Sequence, residues 1–216
     1  MRLTKWEHAC MVLEIANERL VIDPGSLTSP VDGMENVKTV VITHEHADHW
    51  TPQQLARIID TNPDVRILGT EATAAAALHA DIATPVEVVH AGDRVVIGPF
   101  GLEFVGGEHA IIHSSIPRIH NVGVLVNEQF YYPGDSFALP GKQIDVLAAP
   151  ASAPWMKMSE TMDFILEVKP RLVVQAHEMV NSQYGNDLMT ARMQWSAEQV
   201  GGEHRWLQPG DSIDIA

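Results

Sequence analysis

Thr43-His44-Glu45-His46-Ala47-Asp48-His49-Trp50 packs three imidazoles and the Asp48 carboxylate into six consecutive positions, from His44 to His49. His44 and His46 are two apart, so on an extended segment they face the same way. Asp48 and His49 fall where the chain turns toward a helix, and they can address a second point nearby. Nitrogen and oxygen donors of this kind suit zinc, manganese or iron. The stretch closes a run, residues 37–43, that is rich in β-branched side chains and reads as a buried strand. Behind it, Thr51-Pro52-Gln53-Gln54 carries helix-start signals: a Thr cap, Pro at the first helical position and Gln three residues after the cap. Leu55, Ile58 and Ile59 give that helix an apolar face.

Upstream, residues 9–15 and 19–22 are apolar runs joined by Ala16-Asn17-Glu18, a hairpin pattern. Asp23-Pro24-Gly25 breaks the second run, as turn residues do. Downstream come a strand at 65–68, an alanine-rich helix at 71–79, and strands at 86–89, 94–97 and 102–105. The second half repeats the logic, with strands at 122–126, 130–132 and 144–148. A helix at 159–168, a strand at 172–175 and a helix at 188–200 follow. Short strands at 204–207 and 213–215 close the chain. Hairpins and αβ units thus occur in both halves. The pattern predicts an α/β protein: two mixed β-sheets packed face to face and flanked by helices, a four-layer αββα sandwich. No linker, low-complexity segment or repeat divides it, so residues 1–216 read as one domain.

Composition narrows the function. The chain has 216 residues, with 14 basic and 28 acidic side chains and a formal net charge of −14. Phosphate backbones attract Lys/Arg surfaces, and no basic run exists here, so nucleic acid is excluded as a partner. Hydrophobic residues at 45% and charged residues at 19% describe a folded globular protein rather than a disordered one. No apolar run reaches the roughly 20 residues that span a bilayer, so no membrane partner is expected. Residues 1–24 do not read as a secretory signal, which points to a cytoplasmic protein. The single cysteine, Cys10, excludes an intrachain disulfide and a cysteine-based zinc cluster. The 11 histidines are the unusual feature.

His44-x-His46-x-Asp48-His49 after a β-branched strand resembles the signature of the metallo-β-lactamase superfamily. Three further motifs occur in the order that family shows. Val21-Ile22-Asp23-Pro24-Gly25 looks like its early strand-end aspartate motif, Gly134-Asp135-Ser136 like its bridging-aspartate motif, and Ala176-His177-Glu178 like its final-histidine motif. Gly107-x-His109 and Ala149-Pro150 with Pro154-Trp155 look like short single-domain hydrolases related to ascorbate-6-phosphate lactonase. The resemblance implies an αββα sandwich with a one- or two-metal site at one edge of the sheets. Carried over by position, one ion is held by His44, His46 and a mid-chain histidine, and the other by Asp48, His49 and His177. Asp135 bridges them. The mid-chain ligand is His109, directly after a strand, or His113 if that strand runs longer. Asp23 supports the site through hydrogen bonds to ligand histidines or nearby backbone.

The implied activity is a binuclear, metal-dependent hydrolase acting on a small-molecule ester, lactone or phosphoester. Its cofactors are two divalent ions, zinc first, with manganese or iron as alternatives. Asp135 holds the pair together, and Asp48 or a bound water returns a proton to the leaving group. The same fold also serves iron-dependent thiol oxygenation and other redox chemistry, and a non-catalytic metal-binding module is a third possibility. Outside the motifs, His8 reads either as the edge of the site or as a packed core histidine. Cys10 reads as a small buried residue. Trp50, Phe137, Trp155 and Tyr184 lie near the motif loops and read as pocket walls or as packing.

Overall fold

The computed structural model describes residues 1–215. In chain order the elements are β1 (Arg2–Lys5), β2 (Met11–Ile15), β3 (Glu18–Ile22), β4 (Val37–Ile42), α1 (Pro52–Thr61), β5 (Arg66–Gly69), α2 (Glu71–His79) and β6 (Val86–Val88). They continue with β7 (Arg94–Ile97), β8 (Phe100–Gly106), β9 (Val122–Val126), β10 (Phe130–Tyr132), β11 (Val146–Pro150), α3 (Met158–Val168), β12 (Leu172–Ala176), α4 (Gln183–Gln199), β13 (Glu203–Arg205) and β14 (Ser212–Asp214).

The strands form two seven-stranded sheets, ordered β14-β1-β2-β3-β4-β5-β6 and β13-β12-β11-β10-β9-β8-β7. Both are mixed in the same manner. In the first, β14, β1, β2 and β3 pair antiparallel, and β3, β4, β5 and β6 pair parallel. In the second, β7 to β10 pair antiparallel and β10 to β13 pair parallel.

Alternation along each strand divides the apolar residues between two faces. Leu20, Ile22 and Val41 join Phe100, Phe104, Val124 and Val174 in the core between the sheets. Val21, Val40 and Ile42 turn outward, where Leu55 and Ile58 of α1 cover them. Leu147 and Val173 turn outward beneath Phe164 and Ile165 of α3 and Met189 and Met193 of α4. Strands covered on both faces carry near-continuous apolar runs, as residues 40–42 and 172–174 do. The result is the four-layer arrangement the sequence predicts, two mixed sheets flanked by helices.

Local signals decide the helix ends. The Thr51 hydroxyl accepts from the Gln54 amide, and Pro52 opens α1, as its sequence indicates. The last long helix begins at Gln183, five residues before the apolar periodicity at 188 suggests. Ser182 caps it by accepting from the Gly185 amide. That first turn is polar and contains glycine, a weak helix former, so its sequence reads as loop. Strand β1 also escapes the pattern. Its four residues alternate exposed and buried around Thr4 and Lys5, and pairing with β14 and β2 makes it a strand.

Candidate metal centre

The motif residues sit where strands from both sheets end. Asp23 follows β3, His44 follows β4 by one residue, His109 lies shortly past β8, Asp135 follows β10, and His177 directly follows β12. The sheets are tied together at this edge: the Val122 amide donates to the Thr43 carbonyl at 3.0 Å, and the His177 amide donates to the His8 carbonyl at 3.0 Å. Five strand ends converge, so residues far apart in sequence meet at one place.

Two glycines permit that convergence. A Cβ on Gly25 would lie 1.8 Å from the Asp48 carbonyl oxygen, so the loop after Asp23 can lie against the Asp48–His49 turn only as glycine. Gly134 has φ +64°, and a Cβ there would meet the Asn121 Oδ1 at 2.3 Å. That Asn121 oxygen accepts from the Asp135 amide at 3.0 Å, which fixes the backbone of Asp135.

Four of the rings are oriented by their outer nitrogens. His109 Nδ1 lies 2.6 Å from the Ala110 carbonyl, and His177 Nδ1 lies 2.6 Å from the Ser152 carbonyl. A carbonyl only accepts, so both Nδ1 atoms carry hydrogen. His49 Nδ1 donates to Asp23 Oδ2 at 2.6 Å. Thr43 Oγ1 donates to the same carboxylate oxygen at 2.7 Å and accepts from His44 Nδ1 at 3.0 Å. The Thr43 amide donates to Asp23 Oδ1 at 2.8 Å. Asp23 therefore aligns His49 directly and His44 through Thr43, the role of a carboxylate behind a metal ligand.

The inner nitrogens then face oxygens and one another. Asp135 Oδ1 lies 3.2 Å from His49 Nε2 and 3.4 Å from His177 Nε2. Its Oδ2 lies 3.3 Å from His109 Nε2 and 3.9 Å from His44 Nε2. His44 Nε2 and His46 Nδ1 are 3.0 Å apart. Asp48 Oδ2 is 3.2 Å from His177 Nε2 and 3.9 Å from His49 Nε2. One donor group is therefore His44, His46, His109 and Asp135, and a second contains His49, Asp135 and His177, each with its ligand atoms within 4.8 Å of one another.

The donor set fits a metal. His49 Nε2, His109 Nε2, His177 Nε2 and Asp135 Oδ1 are all buried with no hydrogen-bond partner. Such orphaned groups are rare and costly in native interiors. With hydrogen on Nδ1, a neutral Nε2 would aim a lone pair at a carboxylate oxygen, so each of these contacts calls for a cation, a proton or a metal ion, between the two. Ligand atoms around a tetrahedral zinc are separated by about 3.3 Å, the spacing that its bond lengths of 2.0–2.1 Å impose. The close contacts here fall around that value.

Electrostatics agree. Burial opposes charge on His49 and His177, but the Asp135 carboxylate overcomes it, aided by Asp23 for His49 and by Asp48 for His177. His49 is raised well above its ordinary value and His177 is raised to about 9. Burial, reinforced by the His49 charge, drives His44 well below its ordinary value. Burial opposes ionisation of Asp48 and Asp135, yet the surrounding imidazoles hold both below the usual carboxylate range. Without metal, the centre collects protons where cations belong.

The structure separates the two mid-chain histidines. His109 is buried within the first donor group. His113 is exposed, and its Nδ1 lies 2.7 Å from the Ser115 hydroxyl, outside either donor group. The aromatic residues divide similarly. Trp155 donates from Nε1 to Asp135 Oδ2 at 2.8 Å, and Phe137 packs edge-on against it with centroids 5.4 Å apart. Trp50 packs behind α1, and Tyr184 is exposed on α4. Cys10 is buried, and burial pushes its thiol up to about 12. The Lys5–Glu178 ion pair, 3.0 Å long and buried beside His177, carries no signal in the sequence.

A beta-lactamase superfamily domain is matched over residues 2–177. Protein Rv0786c of Mycobacterium tuberculosis is 36% identical over 185 residues, which cover 83% of this chain and 85% of that protein. Among solved structures, Igni18, a metallo hydrolase from the archaeon Ignicoccus hospitalis, superposes with a TM-score of 0.73 at 16% identity, covering 98% of this chain and 97% of its own. CmlA, a diiron β-hydroxylase from Streptomyces venezuelae, superposes with a TM-score of 0.74 at 12% identity, covering 99% of this chain and 54% of its own. The two structural likenesses speak for the fold, and the domain match and the mycobacterial relative carry the assignment: this chain belongs to the beta-lactamase superfamily.

Proposed function

We propose that this protein is a binuclear metal-dependent hydrolase that cleaves a small ester, lactone or phosphoester. The observation that carries the reading is Asp135: its two carboxylate oxygens face two different histidine groups, the arrangement of a bridging ligand. His44, His46 and His109 would hold one ion with Asp135, and Asp48, His49 and His177 the other. Imidazole and carboxylate donors without cysteine suit zinc or manganese, and iron is the further candidate. Such ions, when bound, lower the pKa of a water to near neutrality and polarise the bond under attack.

The chain's own residues supply the rest. Asp23, Thr43, Ser152 and Ala110 lock the ligand rings, so little reorganisation accompanies the reaction. Asp48 has the most accessible carboxylate of the centre, with a side chain 31% exposed, and can hold a proton in transit to the leaving group. Trp155 closes the Asp135 side against water. Three candidate nucleophiles are disarmed: the Cys10 thiol is buried, and the Ser152 and Ser136 hydroxyls donate to the carbonyls of His177 and Pro133. A charge of −14 disfavours polyanionic macromolecules as substrates.

Elemental analysis of protein purified without chelator, followed by a screen of lactones, carboxylic esters and phosphodiesters, tests the reading. Two zinc or manganese ions per chain with turnover of one class supports it. Iron with oxygen-dependent chemistry and no hydrolysis would replace it with the redox alternative. No bound metal, even after reconstitution, would overturn it.

A further inference from the structure

His8 lies in the turn between β1 and β2, outside the two donor groups that contain Asp135, and with Asp48 and His177 it forms a third group whose ligand atoms lie within 4.8 Å of one another. Its side chain is fully buried, yet its Nε2 reaches Asp48 Oδ2 at 3.2 Å. The carboxylate can only accept, so His8 Nε2 carries the hydrogen and donates it. The ring also lies against His177, with centroids 3.9 Å apart. One imidazole thus touches two of the residues that would hold the second ion.

The backbone of His8 is tied down on both sides. Its amide donates to Glu178 Oε1 at 2.9 Å, and its carbonyl accepts from the His177 amide at 3.0 Å and from Lys5 Nζ at 2.8 Å. Lys5 Nζ also donates to Glu178 Oε1 at 3.0 Å, and both side chains are buried. His8 and His177 both adopt left-handed backbone conformations, with φ of 56° and 62°. Non-glycine residues take that conformation at a cost and keep it where the surroundings enforce it. A buried lysine–glutamate pair and two strained residues thus set the position of one ring.

We propose that His8 is a positioning residue that fixes the Asp48 carboxylate beside His177 and so completes the second metal position. The inference rests on the two-ion reading above. Asp48 needs such a partner. It stands on a turn, is the most exposed acid of the centre, and has no backbone amide holding it. In a metal-loaded centre His177 Nε2 gives its lone pair to the ion, because its hydrogen sits on Nδ1 against Ser152. His177 then cannot donate to Asp48, and His8 is left as the N–H that does. A carboxylate oxygen has two lone-pair directions, so Oδ2 can accept from His8 and still face the cation.

Cobalt(II) is the probe, titrated into the metal-free full-length protein and followed by its d–d absorption and by equilibrium dialysis. His8→Leu removes the donor and keeps the bulk. The expected result is a first-site affinity within about threefold of wild type and a second-site affinity lowered about 10- to 100-fold, as for other groups that orient a ligand. His8→Gln, whose amide reaches as far as the lost Nε2–H, should restore most of the second-site affinity. His8→Asn, polar but too short, should not, and it serves equally if the leucine variant fails to fold. In an Asp48→Asn background, His8→Leu should cause little further loss, since the effect passes through Asp48.

Second-site affinity unchanged in His8→Leu, or lost equally in the leucine and glutamine variants, overturns the inference. Additive losses in the double variant overturn it too, because they make His8 a general support of the fold. Wild-type protein that binds only one cobalt overturns the two-ion reading and this inference together. Two ions in wild type with an unaffected His8→Leu overturn the inference alone.

Discussion

The indole nitrogen of Trp155 donates to Oδ2 of Asp135 at 2.8 Å, within the same buried shell that carries the histidines. On the other side of the carboxylate, Oδ1 faces His49 Nε2 at 3.2 Å and His177 Nε2 at 3.4 Å. The indole therefore sets the rotation of the carboxylate, and hence how its two oxygens divide between the donor groups. Trp155→Phe should keep the edge-on packing with Phe137 and His109 and lose only the N–H. A hydrogen bond to a charged group contributes about 1.5–3 kcal/mol, so the thermal midpoint of the metal-free protein should fall by several degrees. Metal affinity, measured by competition with a chromophoric chelator, should drop about tenfold or more. An unchanged affinity would make Trp155 a packing residue only.

Asp23 is fully buried and accepts three hydrogen bonds, from the Thr43 amide, the Thr43 hydroxyl and His49 Nδ1. Asp23→Asn keeps the shape but turns an N–H₂ toward at least one of those donors. Both His49 and, through Thr43, His44 then lose their alignment, and each belongs to a different donor group. The expected outcome is loss of affinity at both metal positions, about 10- to 100-fold each. That pattern separates Asp23 from His8, whose replacement should affect one position. Dialysis against graded zinc buffers reads the two positions separately, and a loss confined to one of them would contradict the shared role.

How much of this was legible in the sequence follows from the distance over which each contact acts. His44, His46, Asp48 and His49 share one short segment, so their type and spacing already suggest donors. Asp23, Asp135 and His177 each follow an apolar run at a turn, and strand ends are readable from where those runs stop. His109 and His113 could not be separated that way, because the end of β8 depends on Gly106 and Gly107 and not on apolarity. Both adopt positive φ, and Gly107 bonds across the loop to Asn121. Contacts across long separations left no local trace. Lys5 and Glu178 are 173 residues apart, His8 and Asp48 are 40 apart, and Trp155 and Asp135 are 20 apart. A lysine in a short strand reads as a solvent-facing residue, and only the folded chain shows that Lys5 points inward. The four-layer order was readable because strands covered on both faces carry near-continuous apolar runs, and because hairpins and αβ units occur in both halves.

Away from the centre, His204 on β13 is buried, its Nε2 has no partner, and burial lowers its pKa to about 4. The folded value lies below the unfolded one, so no penalty exists above about pH 6.5. As pH falls from there, the unfolded chain takes up a proton that the folded chain refuses until about pH 4. Across that window the group should cost up to about 3 kcal/mol. Urea unfolding of the metal-free protein between pH 7 and pH 4 should therefore be steeper in pH for wild type than for His204→Leu, by close to one proton. Parallel curves for the two proteins would show that His204 titrates normally.

The raised histidines make the opposite prediction at alkaline pH. His177 is lifted to about 9 and His49 well above its ordinary value, because Asp135 and its neighbouring carboxylates outweigh the burial that opposes their charge. In the metal-free protein these imidazolium–carboxylate contacts stabilise the fold fully below about pH 6.5, and the His177 contribution is lost as pH rises through about 9. A divalent ion must displace those protons, since only the neutral imidazole binds metal. At pH 7, zinc uptake should thus release about two protons per chain from the raised histidines, with any proton lost by a metal-bound water in addition. Calorimetry in buffers of different ionisation enthalpy counts them directly. Apparent zinc affinity should climb from pH 6.5 to about 9, and the loaded protein should keep its thermal midpoint over the range in which the metal-free protein loses its own. If zinc binds without proton release, His49 and His177 are already neutral at pH 7, and the carboxylates do not govern them as the distances indicate.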